Sequence, residues 1–153
     1  PGYRVGWIAP GKFKDKIIRQ KLVQTVCNSS LYSDVITDFL EHGRYDHHLR
    51  TFRNKLYANY LQMNRSVEAY FPDNTKMAQP KGGFMLWLEL DQRISTTELF
   101  NTALSHKVNF APGRIFSQYN QYNNCMRLNY ALEWNERVES DLEKLGRIIK
   151  NSI

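Results

Sequence analysis

Apolar residues in the middle of the chain recur at helical spacing. Tyr45, Leu49, Phe52, Leu56, Tyr60, Met63 and Val67 step by 4, 3, 4, 4, 3 and 4, which is one stripe along a single helix. The pattern predicts a helix of about 25 residues, roughly 38 Å long at about 1.5 Å per residue. Pro72 and Asp73 stop it. Ahead of it, Leu31, Val35, Ile36, Phe39 and Leu40 fall on one helical face. Ser29 or Ser30 is placed to cap that helix, and Gly43 to end it in a left-handed conformation. Residues 12–26 form a third helical stretch, with Phe13, Ile17 and Val23 loosely on one side. Residues 5–8 read as a short buried strand between Pro1-Gly2 and the turn dipeptide Pro10-Gly11.

The second half changes period. Residues 75–78 and the aromatic and aliphatic run 84–90 read as strands, separated by a Lys81-Gly82-Gly83 turn. Residues 96–105 read as a helix and 108–111 as a short strand ending at Pro112-Gly113. Residues 117–124, rich in Gln, Tyr and Asn, read as a loop. From 125 to 132 the chain alternates: Met126, Leu128 and Tyr130 face one way, Arg127, Asn129 and Ala131 the other. Asn135 caps a last helix carrying Val138, Leu142, Leu145 and Ile149 on one face. Strand, helix, strand, strand, helix, with a long helix packed on them, predicts an α/β (α+β) fold: a small sheet packed with helices plus a long linking helix. The expected division is a residual strand over 1–10, a helical segment over 11–70 and a small domain over 71–153.

Composition narrows the class. Of 153 residues, 42% are hydrophobic and 24% charged, a globular balance that argues against disorder. No apolar run approaches membrane-spanning length and no signal peptide opens the chain, so the expected location is cytoplasmic, without membrane association. Cys27 and Cys125 form no CxxC pair and are expected to be reduced thiols. The net charge of +6 hints at nucleic acid or an anionic ligand, but Lys and Arg are scattered and no charge block forms, so direct nucleic-acid binding by this stretch is not expected.

Two arginines are candidates for binding. Arg4, at the mouth of a strand in "PGYRVGW", either holds a phosphate by a two-point hydrogen bond or is a surface residue. Arg127, in the middle of "CMRLNYA", needs an anion, supplied by an internal carboxylate or by a ligand. In "NFAPGRIF", Gly113 permits close backbone approach to a ligand, or makes an ordinary turn. His47 and His48 are adjacent on a helix and point in different directions, and no metal site is expected. The Tyr45, Phe52, Tyr60 stripe reads as core rather than as a stacking platform.

These segments together resemble the fold-type-I pyridoxal-phosphate (PLP) aminotransferase superfamily. "PGYRVGWI" is similar to the stretch after the cofactor lysine, "PKGGFMLWLEL" to the small-domain Gly-Gly-aromatic strand, "NFAPGRIF" to the A-P-G-x-x-F motif and "MRLNYA" to the C-terminal arginine strand. They follow the family's order and cover nearly the whole chain. "FLEHGRYDHHLRTFRNKLYANYLQM" and the ending through "DLEKLGRII" resemble the MocR-type regulators of the GntR superfamily, in which a winged helix-turn-helix precedes an aminotransferase-like domain.

The resemblance implies the C-terminal small domain of that fold. It implies a fragment of the PLP-binding effector domain of such a regulator, or else of a free-standing class I/II amino-acid aminotransferase. Arg4 would contact the PLP phosphate and Arg127 the carboxylate of an amino-acid-like effector or substrate. The cofactor lysine, the aspartate that pairs with the pyridine nitrogen and the ring-stacking residue would all lie upstream of Pro1. This stretch therefore carries no catalytic residue, and is expected neither to transaminate nor to hold PLP tightly. The sheet neighbours of the 5–8 strand would be missing too, so residues 1–10 are expected to be extended and poorly anchored, or to pair with another chain as an exposed edge. The parent would be a homodimer that touches DNA only through an N-terminal domain outside this sequence.

Overall fold

The computed structural model describes residues 2–152. The chain divides into two compact units, one running up to Thr51 and the other from Phe52 onward.

The first unit is helical. A 3-10 turn at Gly11–Phe13 leads into α1 (Lys14–Gln24), followed by α2 (Ser30–Glu41) and the opening of α3 (Arg44–Tyr70). Ser29 stands at the α2 N-cap, although its side chain makes no capping hydrogen bond. Gly43 adopts φ 66° between α2 and α3, the left-handed conformation that glycine takes without steric cost. No residue of α1 or α2 is buried. The apolar face of α2 is amphipathic in sequence, yet Leu31, Val35 and Leu40 stay exposed.

Residues 5–8 do not form a buried strand, in keeping with the expectation that residues 1–10 are extended and poorly anchored. They have no regular structure, and Trp7 is 91% exposed. A strand exists only through ladder bonds to a neighbour, and the one sheet of the described residues is built from 76–129.

The second unit holds a continuous core. β1 (Lys76–Met77), β2 (Met85–Glu89), β3 (Ala111–Pro112) and β4 (Cys125–Asn129) form one sheet in the order β1-β2-β4-β3. Each neighbouring pair is antiparallel. β3 is shorter than the expected 108–111 strand, but Val108 and Phe110 are buried all the same. Leu86, Leu88, Met126, Leu128 and Tyr130 occupy one sheet face. They merge with Met63, Val67 and Phe71 from the end of α3, Leu99 and Ala103 of α4 (Thr96–Ser105), and Leu142, Leu145 and Ile149 of α5 (Glu136–Lys150). Three helices therefore cover one face of the sheet.

The α3 stripe is core only along its C-terminal part. Leu56 and Tyr60 are partly buried, and Met63 and Val67 fully so, whereas Tyr45 and Phe52 are more than a third exposed. Apolar spacing marks a face, but a neighbouring layer is required to bury it.

Polar contacts fix α3 against the unit. Asn59 Nδ2 donates to the carbonyls of Tyr130 at 2.9 Å and Leu132 at 2.7 Å. Ser66 Oγ lies 3.0 Å from each carboxylate oxygen of Glu139 on α5. Gly146 lets α5 approach closely, since a Cβ there would stand 2.4 Å from the Tyr70 carbonyl oxygen. Among the described residues no helix is long and apolar enough to cross a membrane.

Candidate functional site

The sheet face opposite the core carries the second unit's best candidate for anion binding. Antiparallel register sets Trp87 of β2 and Ala111 of β3 on either side of Arg127 of β4. Alternation along β4 buries Met126 and Leu128 and leaves Arg127 half-buried on the other face. Between β3 and β4 the chain turns at Gly113–Phe116, a 3-10 segment that brings the Phe116 ring under the guanidinium, 4.5 Å from ring centroid to Cζ. Trp87 meets Phe116 edge-on at 5.6 Å and Tyr122 at 5.4 Å.

Among the described residues Arg127 has no ion pair and no hydrogen bond. The nearest acid in the ladder, Glu89, pairs with Lys76 at 3.0 Å. An internal carboxylate is thus not what Arg127 serves here, and its hydrogen-bonding edges stay open. A half-buried guanidinium of this kind suits a carboxylate, which it can engage with two parallel bonds.

Of the two readings of Gly113, the structure shows the turn. The close approach it permits is to the chain itself: an added Cβ would meet the Tyr122 carbonyl at 2.4 Å and Cys125 at 2.8 Å. The glycine packs the 3-10 turn on the 117–124 loop and so sets where Phe116 lies. Cys125 beneath is a free, buried thiol. Burial, and then the charge of Glu89, push its pKa up, so it stays protonated and unreactive.

Arg4 belongs to the first unit. It is exposed and sits at φ 53°, a left-handed backbone that costs an ordinary side chain about 1–2 kcal/mol. It borders a shallow cavity of ≈ 440 Å³ with Tyr3, Val5, Gly6 and Ile36. Among the described residues it too has no acid partner.

Two further clefts were not foreseen from sequence. In the second unit, Arg53, Tyr57, Tyr60, Lys81 and Tyr130 border a cleft of ≈ 440 Å³, and the Tyr130 hydroxyl donates to the Gly83 carbonyl at 3.0 Å. In the first, His42, Arg44, His47 and His48 border an open cavity of ≈ 580 Å³. His47 and His48 thus share a cavity although they leave the helix in different directions. Asp38 engages both His42 and Arg44, at 3.2 Å and 3.4 Å. Among the described residues no group of three or more His, Cys, Asp or Glu is placed to hold a metal ion.

No protein-family model matches the sequence. Solved structures do. The chain superposes on LysN, the alpha-aminoadipate aminotransferase of Thermus thermophilus solved with N-(5'-phosphopyridoxyl)-L-leucine, with a TM-score of 0.86. The match covers 95% of this chain and 37% of that one, at 26% identity. The chain has the fold of the C-terminal part of a fold-type-I aminotransferase.

The sequence also matches proteins with a different name. The chain is 35% identical to the uncharacterised HTH-type transcriptional regulator YdcR of Escherichia coli, over 100% of its length and 33% of the regulator's. It is 32% identical to a second such regulator of that organism, YjiR, over 97% of its length and 32% of the regulator's. The chain thus spans about a third of the length of the curated relatives it matches. Its relatives are helix-turn-helix regulators and PLP aminotransferases.

Proposed function

We propose that the chain is the C-terminal part of the PLP-binding effector domain of a MocR-type transcriptional regulator of the GntR superfamily. The observation that carries this is the identity to two helix-turn-helix regulators along essentially the whole sequence. In that reading the full protein binds DNA through an N-terminal winged-helix domain, acts as a homodimer, and senses an amino-acid-like effector.

The residues present fit a share of PLP and its amino-acid partner. Among the described residues neither Arg4 nor Arg127 has an acid partner, so each is available to an anion. Arg4 would take the phosphate of PLP and Arg127 the carboxylate of the effector. When bound, PLP supplies an electron sink for bonds next to the effector's amine. Arg127 contributes binding and orientation: two charge-assisted bonds fix the carboxylate in the plane of the guanidinium. An effector that binds one conformation of the domain more tightly than another shifts the population by that difference in affinity.

Gel-shift titration of the full protein with its operator, with and without amino acids, tests the reading. An amino acid should change DNA affinity, and Arg127→Gln should abolish that response while leaving basal DNA binding intact. DNA binding indifferent to every amino acid and to PLP sinks the sensor reading.

The likeness to LysN favours a second reading, a free-standing amino-acid aminotransferase. Steady turnover of an amino acid with a 2-oxo acid by the full protein, with no DNA-binding domain in its sequence, would decide for it. On either reading this stretch alone should not retain PLP through gel filtration. A visible absorption band that borohydride fixes to one of its lysines would contradict that.

A further inference from the structure

The open edge of Arg127 is only useful if the guanidinium is held. An arginine has four side-chain torsions, and a mobile one binds a carboxylate at an entropic cost. Arg127 has no hydrogen bond or ion pair to fix it among the described residues; its Cζ lies over the Phe116 ring, 4.5 Å from the centroid. Phe116 is itself 41% exposed. Trp87, cross-strand from Arg127, buttresses it edge-on at 5.6 Å and 68°.

We propose that Phe116 is the positioning residue for Arg127: its ring covers one face of the guanidinium and leaves the hydrogen-bonding edge to a ligand carboxylate. This rests on the reading of Arg127 as a carboxylate site. The ring attracts the cation and strips water from one of its faces, so the remaining approach lies in the guanidinium plane. Gly113 contributes indirectly, because its close contact with Tyr122 and Cys125 sets the turn that carries Phe116.

The full chain, labelled with nitrogen-15, is titrated with L-leucine and separately with L-leucinamide, following the Arg127 Nε–Hε signal. In the wild type leucine shifts the signal and leucinamide does not. Phe116→Leu weakens leucine binding about threefold to tenfold, as expected for loss of a cation–π contact. It also moves the free-state signal, because the ring-current shift is lost. Phe116→Tyr restores both. Phe116→Met replaces the leucine variant if that one does not fold. A folded Phe116→Leu with wild-type affinity for leucine and an unmoved Arg127 signal overturns the positioning role and leaves the carboxylate reading intact. Leucine binding that survives Arg127→Gln, seen through backbone amides, or a wild type that ignores leucine, overturns the carboxylate reading and this proposal with it.

Discussion

Gly146 and Gly113 are both fixed by contact with backbone, and both show how a single hydrogen in place of a methyl decides packing. In an open helix interior, Gly→Ala stabilises by roughly 0.5–1 kcal/mol. At Gly146 the sign should reverse, since the new Cβ falls 2.4 Å from the Tyr70 carbonyl oxygen, an atom that moves only with its helix. Gly146→Ala is expected to lose about 1–3 kcal/mol, the usual range for overpacking. A lower urea midpoint at unchanged slope checks it. Asp91 gives a residue-scale dependence on pH. Its carboxylate accepts from Arg93 through the backbone N–H at 3.0 Å, Nε at 2.8 Å and Nη2 at 3.1 Å, and from Asn74 at 3.0 Å. The hydrogen bonds from Arg93 lead the causes that hold its pKa well below the usual carboxylate range. A depressed folded value means the stabilisation is fully present above the unfolded value and is lost as pH falls through the folded one. Urea stability should therefore fall on acidification below the ordinary Asp range, and Asp91→Asn should flatten that part of the profile.

Helix ends separate what a sequence signal promises from what it delivers. Asn135 and Ser29 both occupy N-cap positions and both were legible as caps. Asn135 Oδ1 accepts the Val138 N–H at 3.1 Å, whereas Ser29 makes no such bond. Asn135→Ala should cost about 1 kcal/mol and Ser29→Ala close to nothing, as read from thermal midpoints of the two variants side by side. The same contrast runs along α3. Its apolar stripe was plain in sequence from Tyr45 to Val67, and the helix does span Arg44–Tyr70. Only the part opposite the sheet and α5 is buried, because hydrophobic spacing states which face can be covered and not what covers it.

The two units differ in the burial they achieve. From Phe52 onward, buried residues of one sheet and three helices meet in a single cluster, whereas the helices α1 and α2 of the first unit bury none. Local opening is governed by such burial. Amides of α1 and α2 should exchange with solvent orders of magnitude faster than those of β2 and β4, in hydrogen-exchange mass spectrometry of the full chain. Equal protection across both units would contradict this.

Much of this protein follows from its order of residues alone. Local patterns of apolar residues placed α1, α2, α3 and α5 and strands β2 and β4, because a helix or strand advertises its buried face within a few neighbouring residues. The sequence also singled out Arg127 as a charge on a strand otherwise built for burial. The rest depended on residues far apart in the chain. Antiparallel register put Trp87 and Ala111 beside Arg127, and the turn after Gly113 carried Phe116 to its ring contact. Neither fact has a local signature. Residues 5–8 show the same limit: a strand's pattern is written in its own residues, but its hydrogen bonds belong to a partner, and only the tertiary structure says whether one is there.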